Sequence, residues 1–393
     1  MKILGVGIYP PKFSGAAYIT AELIAKLKWM GHHIKIITDS YRTSNLDEND
    51  YFNPFTKDLQ ILRIKEKFPP APQKPNEFSI KNIQESLSKL IKNEIKSFNP
   101  DIIVLFHESM CWYLSKSTIR NRLPLVLIAQ GFPTVMLFED YTQKERMNFR
   151  NKLKNIDSII VVSEYMRNIL NKLNIFHVKT IPNGINLEKF ESKINNTMIN
   201  DIFNDSKFDH TFTHISNLKE AKSPFEIIDC AAEFKTKKIN VKFIIVGDGQ
   251  LKTKMESLVC NYQLTDLIKF VGKIDYSLIN SLLKKSYGFI SCSKYEGCPR
   301  VIMEAQLSGC LVIASDIPSH RELIQHGVSG LLYKNGDVNN LYENINIAIN
   351  CNLKNEIVNQ YWEFRKKYDI NEQCRKIENE LLTILKKSHF SNN

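Results

Sequence analysis

The chain has 393 residues, of which 43% are hydrophobic and 24% are charged, a composition typical of a soluble globular protein. This length exceeds what one ordinary hydrophobic core supports, so two domains are expected. No apolar run approaches the roughly 18 residues of a membrane-spanning helix, and the eight cysteines show neither a C-x-x-C pair nor metal-site spacing. Five of them lie in apolar or helical contexts and are expected to fill the core, which suits a reduced cytosol: Cys111, Cys230, Cys260, Cys310 and Cys351.

The net charge of +11 is unevenly distributed along the chain. Residues 1–200 carry 28 Lys and Arg against 19 Asp and Glu, whereas residues 201–393 carry 25 against 23. Two interpretations stay open: a solvated lysine-rich surface, or a first domain that meets an anionic partner such as a membrane surface or a phosphorylated acceptor. Two basic helical stretches, 79–97 and 143–155, would make the membrane contact through their apolar stripes. Nucleic acid is not expected as a partner, because no basic run is interleaved with aromatic residues.

The first half of the chain alternates between strand and helix patterns. A buried strand, KILGVGIY, precedes the Pro/Gly loop PPKFSGA and a helix that ends at Gly31. Further strands are predicted at IKIIT, LQILRI, DIIVLF, LPLVLIA and SIIVVS, with an amphipathic helix over 80–97. The alternation predicts a parallel, doubly wound sheet for an N-terminal domain over residues 1–190.

A polar, asparagine-rich segment at 191–210 is predicted to be the linker between two domains. The alternation restarts over 211–370 with the strands TFTHIS, VKFIIVG, IKFVG, GFISCS and LVIAS, and helices are predicted at 223–235, 355–367 and 371–387. The C-terminal segment 371–393 is a candidate to pack back on the N-terminal domain. The predicted fold class is therefore α/β, with two facing Rossmann-like domains and a ligand cleft at the carboxyl ends of their strands.

The stretch YEGCPRVIME, which follows the strand GFISCS, combines two carboxylates with a Gly/Pro turn. Pro299 suits the first turn of a helix, and the backbone N–H groups after it would form an anion site suited to a diphosphate. Glu304, one turn further, is placed to accept hydrogen bonds from a vicinal diol such as that of ribose. Glu296 is placed to reach a sugar. A bare pair at this spacing is more often one capping and one surface-helix carboxylate. The surrounding strand, turn and helix favour the functional interpretation.

Over nearly its whole length the chain resembles the retaining, nucleotide-sugar-dependent glycosyltransferases of family 4, which have the two-domain GT-B fold. The resemblance is carried, in this order, by PPKFSGAA, VVSEYMRNIL, TIPNGINLEKF, ISNLKEAKSP, FIIVGDGQL and YEGCPRVIMEAQLSGCLVIASDIPSHRELIQHGVSGLLY. It implies sugar transfer from a nucleoside-diphosphate sugar, with a UDP-sugar favoured, to a glycan or lipid-linked acceptor. The expected context is cell-surface glycan, lipopolysaccharide or glycolipid assembly, in the cytoplasm or peripherally on the inner face of the membrane.

The resemblance also assigns roles to single residues. Glu296 would contact the transferred sugar, Glu304 the ribose hydroxyls, and Lys222 with the amides of Arg300 and Val301 the diphosphate. The other substrate-binding candidates are Gly15, Asn217, Lys219, Gly297 and Pro299. A solvated surface lysine is the alternative for Lys222, and a glycine needed for a tight turn is a compatible explanation for Gly15. Neither a cofactor nor a metal is implied, since the acidic run DEND at 47–50 lies in a polar loop.

Several positions depart from the family pattern. Asn217 stands where an arginine is usual, with Lys219 as the nearby charge, and the doubled glycine of the first loop is replaced by a serine and Gly15. Gln130 stands where many relatives carry a histidine near the reaction centre. His107, at the end of the preceding strand, is the nearest imidazole and the acceptor-side catalytic candidate, with a satisfied strand-end histidine as the alternative. These departures keep open a catalytically silent sugar-nucleotide-binding subunit; a nucleotide-sugar 2-epimerase on the same scaffold is the other alternative.

Overall fold

The computed structural model describes residues 1–10, 15–40, 59–69, 76–114, 123–131, 134–135, 141–191, 197–205, 207–358, 361 and 364–390. Residues 11–14 of the first loop and the acidic run at 47–50 lie outside this set. The chain divides into two compact units, Met1–Gly184 with Ile370–Asn393, and Ile185–Asp369. Each unit is built on one parallel sheet flanked by helices, so the predicted α/β class with two Rossmann-like domains is confirmed.

The first unit has a seven-stranded sheet with the order β3-β2-β1-β4-β5-β6-β7, which is a doubly wound order. The strands are β1 Lys2–Gly7, β2 His33–Thr38, β3 Gln60–Arg63, β4 Ile102–Phe106, β5 Leu125–Ile128, β6 Ser158–Val161 and β7 Val178–Thr180. The helices that alternate with them are α1 Gly15–Trp29, α2 Glu77–Ser97, α3 Gln143–Leu153 and α4 Glu164–Lys172. All five residues of β4 are buried, as expected for a parallel strand that is covered on both faces.

The second unit repeats this arrangement with six parallel strands in the order β10-β9-β8-β11-β12-β13. The strands are β8 His210–Ile215, β9 Val241–Val246, β10 Ile268–Gly272, β11 Gly288–Ser291, β12 Leu311–Ser315 and β13 Leu331–Tyr333. The helices are α5 Leu187–Glu191, α6 Thr197–Phe203, α7 Phe225–Thr236, α8 Lys252–Asn261, α9 Ile279–Lys285, α10 Arg300–Leu307, α11 Pro318–Arg321, α12 Val338–Asn350, α13 Leu353–Val358 and α14 Phe364–Lys367. The strand order reverses between β8 and β11, which is where a doubly wound sheet binds its ligand.

Some boundaries differ from the sequence-based prediction. The segment predicted as a linker, 191–210, contains α6, whose Ile199 and Ile202 are buried beside Leu278 and Leu282 of the second unit. Two isoleucines at helical spacing outweigh the polar composition around them. The single helix predicted at 355–367 is instead α13 and α14, and the three-residue strands β7 and β13 were missed because they are too short to show periodicity.

The C-terminal helix, α15 Ile370–Phe390, belongs to the first unit. Its buried residues join the core that α1 forms with the sheet: Ile370, Cys374, Ile377, Leu381 and Ile384. Polar contacts near the start and the middle of this stripe also hold the helix, since Gln373 Oε1 accepts from the Gly184 N–H at 2.8 Å and Glu378 lies 2.9 Å from His32 Nε2. The last helix therefore completes the unit that begins the chain.

The apolar stripes of the two basic stretches, 79–97 and 143–155, are buried within the first unit. Three residues of α2 are buried, Ile83, Leu87 and Ile91, as are Phe149 and Leu153 of α3. Arg146, Arg150 and Lys152 of α3 donate to the backbone carbonyls of Tyr141, Leu173 and Trp112. The prediction that these stripes enter a membrane is wrong, because the core already buries them. Membrane association stays a prediction that rests on surface charge.

Within the described residues, no helix is both long enough and apolar enough to cross a bilayer. The prediction that five cysteines fill the core holds for Cys111, Cys230 and Cys310, but it is wrong for Cys260 and Cys351, which are exposed near the ends of α8 and α12.

Candidate active site

The candidate site of the second unit lies at the carboxyl ends of β8 and β11. Lys222 follows β8 and Glu296 follows β11, so residues 74 positions apart meet where the strand order reverses. The Lys222 ammonium and the Glu296 carboxylate form an ion pair, and Ser293 Oγ donates to Glu296 Oε1 at 2.7 Å. The Lys222 side chain is only 22% exposed. It is therefore not the solvated surface lysine that a lone lysine usually is.

The electrostatics of this pair are set by opposing effects. Burial alone would raise the pKa of Glu296, but the Lys222 ammonium and the hydrogen bond from Ser293 outweigh it and hold that pKa below its usual range. Glu296 is thus an ionised, acceptor-only group at neutral pH. A diphosphate brought to Lys222 would share the ammonium with this carboxylate.

The loop that carries Lys222 is held from several sides. Its short 3₁₀ turn, Glu220–Lys222, ends at Ser223 in the left-handed region, and the Lys294 N–H donates to the Ala221 carbonyl at 2.9 Å. The glycine-containing turn after β9 packs against the first residues of this loop, and the Leu218 N–H donates to the Asp248 carbonyl at 3.0 Å. A Cβ on Gly247 would lie 1.8 Å from the Ser216 carbonyl oxygen, so only glycine fits there. This contact explains why the sequence motif FIIVGDGQL accompanies the basic loop.

Two buried histidines that the sequence did not single out lie beside the ion pair. His214 Nδ1 is 2.9 Å from the Ile290 carbonyl and its Nε2 is 2.7 Å from Ser216 Oγ, while His320 Nδ1 is 2.7 Å from the Ser315 carbonyl. Burial lowers the pKa of each to about 4, so both are neutral at physiological pH. They link the strand ends of the site without adding positive charge to it.

Helix α10 begins directly after the Gly/Pro turn. Pro299 is the N-cap of the helix and not a residue of its first turn, which corrects the sequence-based placement by one position. The cap has no side-chain hydrogen bond, and the N–H groups of Arg300 and Val301 are the first of the helix. Gly297 and Pro299 are buried, so the turn is fixed by packing. This helix start fits the predicted anion site.

Glu304 lies one turn into α10 and is 4% exposed. Its Oε1 accepts from the Tyr276 hydroxyl at 2.6 Å and from Arg300 Nε at 3.0 Å. Glu304 is thus not the surface-helix carboxylate that a bare Glu pair suggests. The Arg300 side chain contacts Glu304, and the contact of its backbone amide with the diphosphate stays a prediction. Tyr276 had no motif to identify it.

The remaining candidates of this unit, Asn217 and Lys219, precede Lys222 in the same loop. Lys219 is half-buried, and burial together with the Lys222 charge lowers its pKa. Asn217 follows β8 and is exposed. Both belong to the loop that carries Lys222, but the described contacts do not by themselves give them a role, so their substrate-binding roles stay predictions.

In the first unit, Gly15 and His107 follow β1 and β4, the two strands between which the order of that sheet reverses. His107 has φ 101°, an uncommon conformation for a side-chain-bearing residue and one associated with functional sites. Its Nδ1 accepts from the Ser109 N–H at 3.2 Å and so caps the 3₁₀ helix Glu108–Trp112. His107 is 4% exposed. These contacts support the interpretation of His107 as a strand-end histidine whose hydrogen bonds are satisfied. Its catalytic role stays a prediction.

A carboxylate that the sequence did not identify organises this end of the first sheet. Glu108 is fully buried and accepts from the Gln130 N–H at 2.9 Å, from the Gly131 N–H at 2.8 Å and from Thr134 Oγ1 at 3.0 Å. The Gln130 side chain donates to Thr20 Oγ1 at 3.0 Å. Gln130, which replaces the histidine of many relatives, is thus held in place from both its backbone and its side chain.

Gly15 allows a test that separates folding from ligand contact. It is exposed, its φ is not in the left-handed region, and a Cβ added there would meet no described atom within 4 Å. A tight turn therefore does not require this glycine. Gly15→Ala is expected to change the free energy of unfolding by less than about 1 kcal/mol, as measured by urea denaturation. A larger loss of stability would contradict this account, whereas a fall in donor affinity at unchanged stability would support the predicted phosphate contact.

No group of three His, Cys, Asp or Glu side chains that could hold a metal ion occurs within the described stretches. The expectation that no metal takes part stays a prediction.

Both halves of the chain match models of known protein families. The model "Glycosyltransferase Family 4" matches residues 13–189, and "Glycosyl transferases group 1" matches residues 199–366. The N-acetyl-alpha-D-glucosaminyl L-malate synthase of Bacillus anthracis is 25% identical over 379 residues, which are 95% of this chain and 93% of that protein. The alpha-monoglucosyldiacylglycerol synthase of Streptococcus pneumoniae is 26% identical, covering 83% of this chain and 73% of that protein. Anabaena HepE, solved in complex with UDP and glucose, shares the fold with a TM-score of 0.75 at 19% identity, covering 98% of this chain and 100% of that one.

Proposed function

The chain belongs to the family 4 glycosyltransferases of the GT-B fold, and on that premise we propose that it moves a sugar from a UDP-sugar to an acceptor hydroxyl with retention of configuration. The acceptor class we propose is a glycan or a lipid-linked molecule. The donor would be held by the second unit, at the carboxyl ends of β8 and β11.

The observation that carries this proposal is the convergence of Lys222, Glu296 and the start of α10 at the strand reversal of the second sheet. The difficult step is cleavage of the bond between the anomeric carbon and the diphosphate oxygen, during which negative charge grows on the diphosphate. A half-buried ammonium and a helix N-terminus stabilise such charge most when they are already in place before the reaction. Lys222 and the amides of Arg300 and Val301 supply both.

The remaining atoms of the reaction balance without a side-chain base. The acceptor oxygen bonds to the anomeric carbon on the face that the diphosphate leaves, and the departing phosphate oxygen takes the acceptor proton. The products are the glycoside and the nucleoside diphosphate. Glu296, ionised and paired with Lys222, is placed to accept hydrogen bonds from the hydroxyls of the sugar.

Relatives support the finer parts of the proposal. Anabaena HepE is solved with UDP and glucose, which favours a uridine diphosphate donor. The names of the Bacillus and Streptococcus proteins denote alpha-linked products. The product named for the Streptococcus protein is a diacylglycerol glycolipid. From these likenesses we propose that this chain transfers an α-linked donor sugar with retention of configuration. We also propose a lipid acceptor.

The proposal predicts that UDP-sugars protect the protein against thermal unfolding. A ligand at about 100 times its dissociation constant should add roughly 2.7 kcal/mol of stability, and GDP- and ADP-sugars at the same concentrations should add less. Donor hydrolysis is then assayed without acceptor, with EDTA as the test for metal independence, and NMR assigns the anomer of any transfer product. Protection by none of the three donors would contradict the donor site. Protection without hydrolysis or transfer would instead indicate a catalytically silent sugar-nucleotide-binding subunit.

A further inference from the structure

A closed hydrogen-bonded triangle joins Glu304, Arg300 and Tyr276. Tyr276, in the 3₁₀ turn Tyr276–Leu278 that follows β10, donates its hydroxyl to Glu304 Oε1 at 2.6 Å. Arg300 Nε donates to the same oxygen at 3.0 Å, and Arg300 Nη2 donates to the Tyr276 hydroxyl at 2.8 Å. The guanidinium carbon also lies 5.2 Å from the centre of the Tyr276 ring. Each member therefore contacts the other two.

This triangle restricts the carboxylate more than either partner would alone. The Arg300 and Glu304 side chains are 11% and 6% exposed, so their bonds form largely away from water and are charge-assisted. Arg300 and Glu304 are one turn apart on α10, whereas Tyr276 comes from a different element, 28 positions earlier. The bond to Tyr276 ties the orientation of Glu304 to the turn after β10.

The triangle also solves an electrostatic problem of the proposed site. Glu304 lies about one turn from the helix start that would bind the donor diphosphate, and two groups of like charge at such a distance repel each other. The Arg300 guanidinium offsets the carboxylate charge.

We infer that Tyr276 is a positioning residue for nucleoside recognition: it orients Glu304, with Arg300, so that the carboxylate meets the ribose diol of the donor in a fixed geometry. The inference rests on the proposed function and on the role that the family resemblance implies for Glu304, which is contact with the ribose hydroxyls. A fixed acceptor that is left without its hydroxyl partner is poorly solvated, so the site should select ribonucleotides over 2′-deoxyribonucleotides. Tyr276 would set the strength of this selection without itself touching the ribose.

The test compares the affinities of UDP and 2′-deoxy-UDP by isothermal titration calorimetry. The wild-type protein should bind UDP at least about tenfold more tightly than 2′-deoxy-UDP, as expected for the loss of a hydrogen bond to a charged group. Tyr276→Phe removes one hydroxyl and keeps the ring beside Arg300. It should weaken UDP binding by roughly fivefold to tenfold, leave 2′-deoxy-UDP binding nearly unchanged, and so remove most of the preference.

The matched control is Tyr287→Phe, which removes a hydroxyl that donates to the Ala348 carbonyl at 2.6 Å in the same unit and should leave the preference intact. Glu304→Ala measures how much of the preference depends on the carboxylate. Should Tyr276→Phe fail to fold, Arg300→Gln serves as the second variant, since it breaks the same triangle at another corner.

The outcomes separate this inference from the proposed function. Equal weakening of UDP and 2′-deoxy-UDP in Tyr276→Phe would overturn the inference and leave Tyr276 a structural residue, as would an unchanged preference in a variant that folds. If the wild type does not prefer the ribonucleotide, or Glu304→Ala binds UDP normally, Glu304 does not hold the ribose and the inference falls with that assignment. If UDP does not bind, the ribo and deoxy forms of GDP and ADP are compared in the same way, and binding of none of them contradicts the proposed function itself.

Discussion

Lys222→Ala is expected to lower the turnover number for sugar transfer by about 100-fold to 1,000-fold, the range found when one preorganised donor to a developing negative charge is removed. Lys222 is only 22% exposed and already paired with Glu296, so water cannot easily replace its ammonium. The affinity for the nucleoside diphosphate should fall in the same variant. Initial-rate kinetics with the donor identified by thermal protection, and calorimetry with its diphosphate, measure the two effects.

Two comparisons make this result specific. Lys334→Ala removes a lysine that is 82% exposed and should leave turnover unchanged. Glu296→Gln should lower transfer and sugar discrimination while nucleoside-diphosphate binding stays nearly intact, because the amide keeps an acceptor oxygen but loses the charge. A fall of less than tenfold in Lys222→Ala would contradict the proposed role of Lys222. The same kinetic and binding profile in both variants would contradict the separate roles of Lys222 and Glu296.

The ion pair also predicts a pH dependence of stability. The pKa of Glu296 is lowered in the folded protein, because the Lys222 charge and the Ser293 hydrogen bond outweigh the effect of burial. A lowered carboxyl pKa contributes stability above the unfolded pKa of about 4.3 and loses it as the pH falls through the folded value. The stability difference between wild type and Lys222→Ala should therefore be largest near neutral pH and shrink in acid. A constant difference from pH 7 to pH 3 in urea denaturation would contradict this account.

Glu108→Ala is expected to destabilise the first unit by roughly 3–5 kcal/mol, because it removes the acceptor of three buried hydrogen bonds. The carboxylate is fully buried and accepts from two backbone N–H groups and from Thr134 Oγ1. Each donor that loses its partner away from water costs about 1–3 kcal/mol. Urea denaturation measures the loss, and hydrogen exchange at the amides of Gln130 and Gly131 shows whether it begins there.

Two further variants serve as references for this prediction. Glu85→Ala removes an exposed carboxylate of α2 and should change stability by less than about 0.5 kcal/mol. Glu108→Gln keeps one acceptor oxygen and should recover part of the loss. A Glu108→Ala variant as stable as Glu85→Ala, or normal protection of the Gln130 and Gly131 amides, would show that this carboxylate does not hold the segment after β5.

The sequence by itself determined the architecture and the position of the helix start that lies between the two candidate carboxylates, Glu296 and Glu304. Parallel strands covered on both faces appear as continuous apolar runs, as in IIVLF, and a Gly/Pro turn between a strand and a helix fixes where α10 begins. These signals are local, because burial and backbone conformation depend on residues close together in the chain. For the same reason the sequence showed that Glu296 and Glu304 flank one helix start, while their partners stayed unknown.

The tertiary structure alone decided which side chains meet. Lys222 and Glu296 are 74 positions apart and form a pair because β8 and β11 are neighbours in the second sheet. Tyr276 reaches Glu304 across 28 positions, and Glu108 receives the Gly131 amide across 23, with no motif at either partner. The apolar stripe of α3 gave the same pattern for a membrane face and for a core face, and only packing showed that Phe149 and Leu153 are buried. The physical reason is that strand order and helix packing are set by the burial of the whole core, so contacts between distant residues leave no local pattern in the sequence.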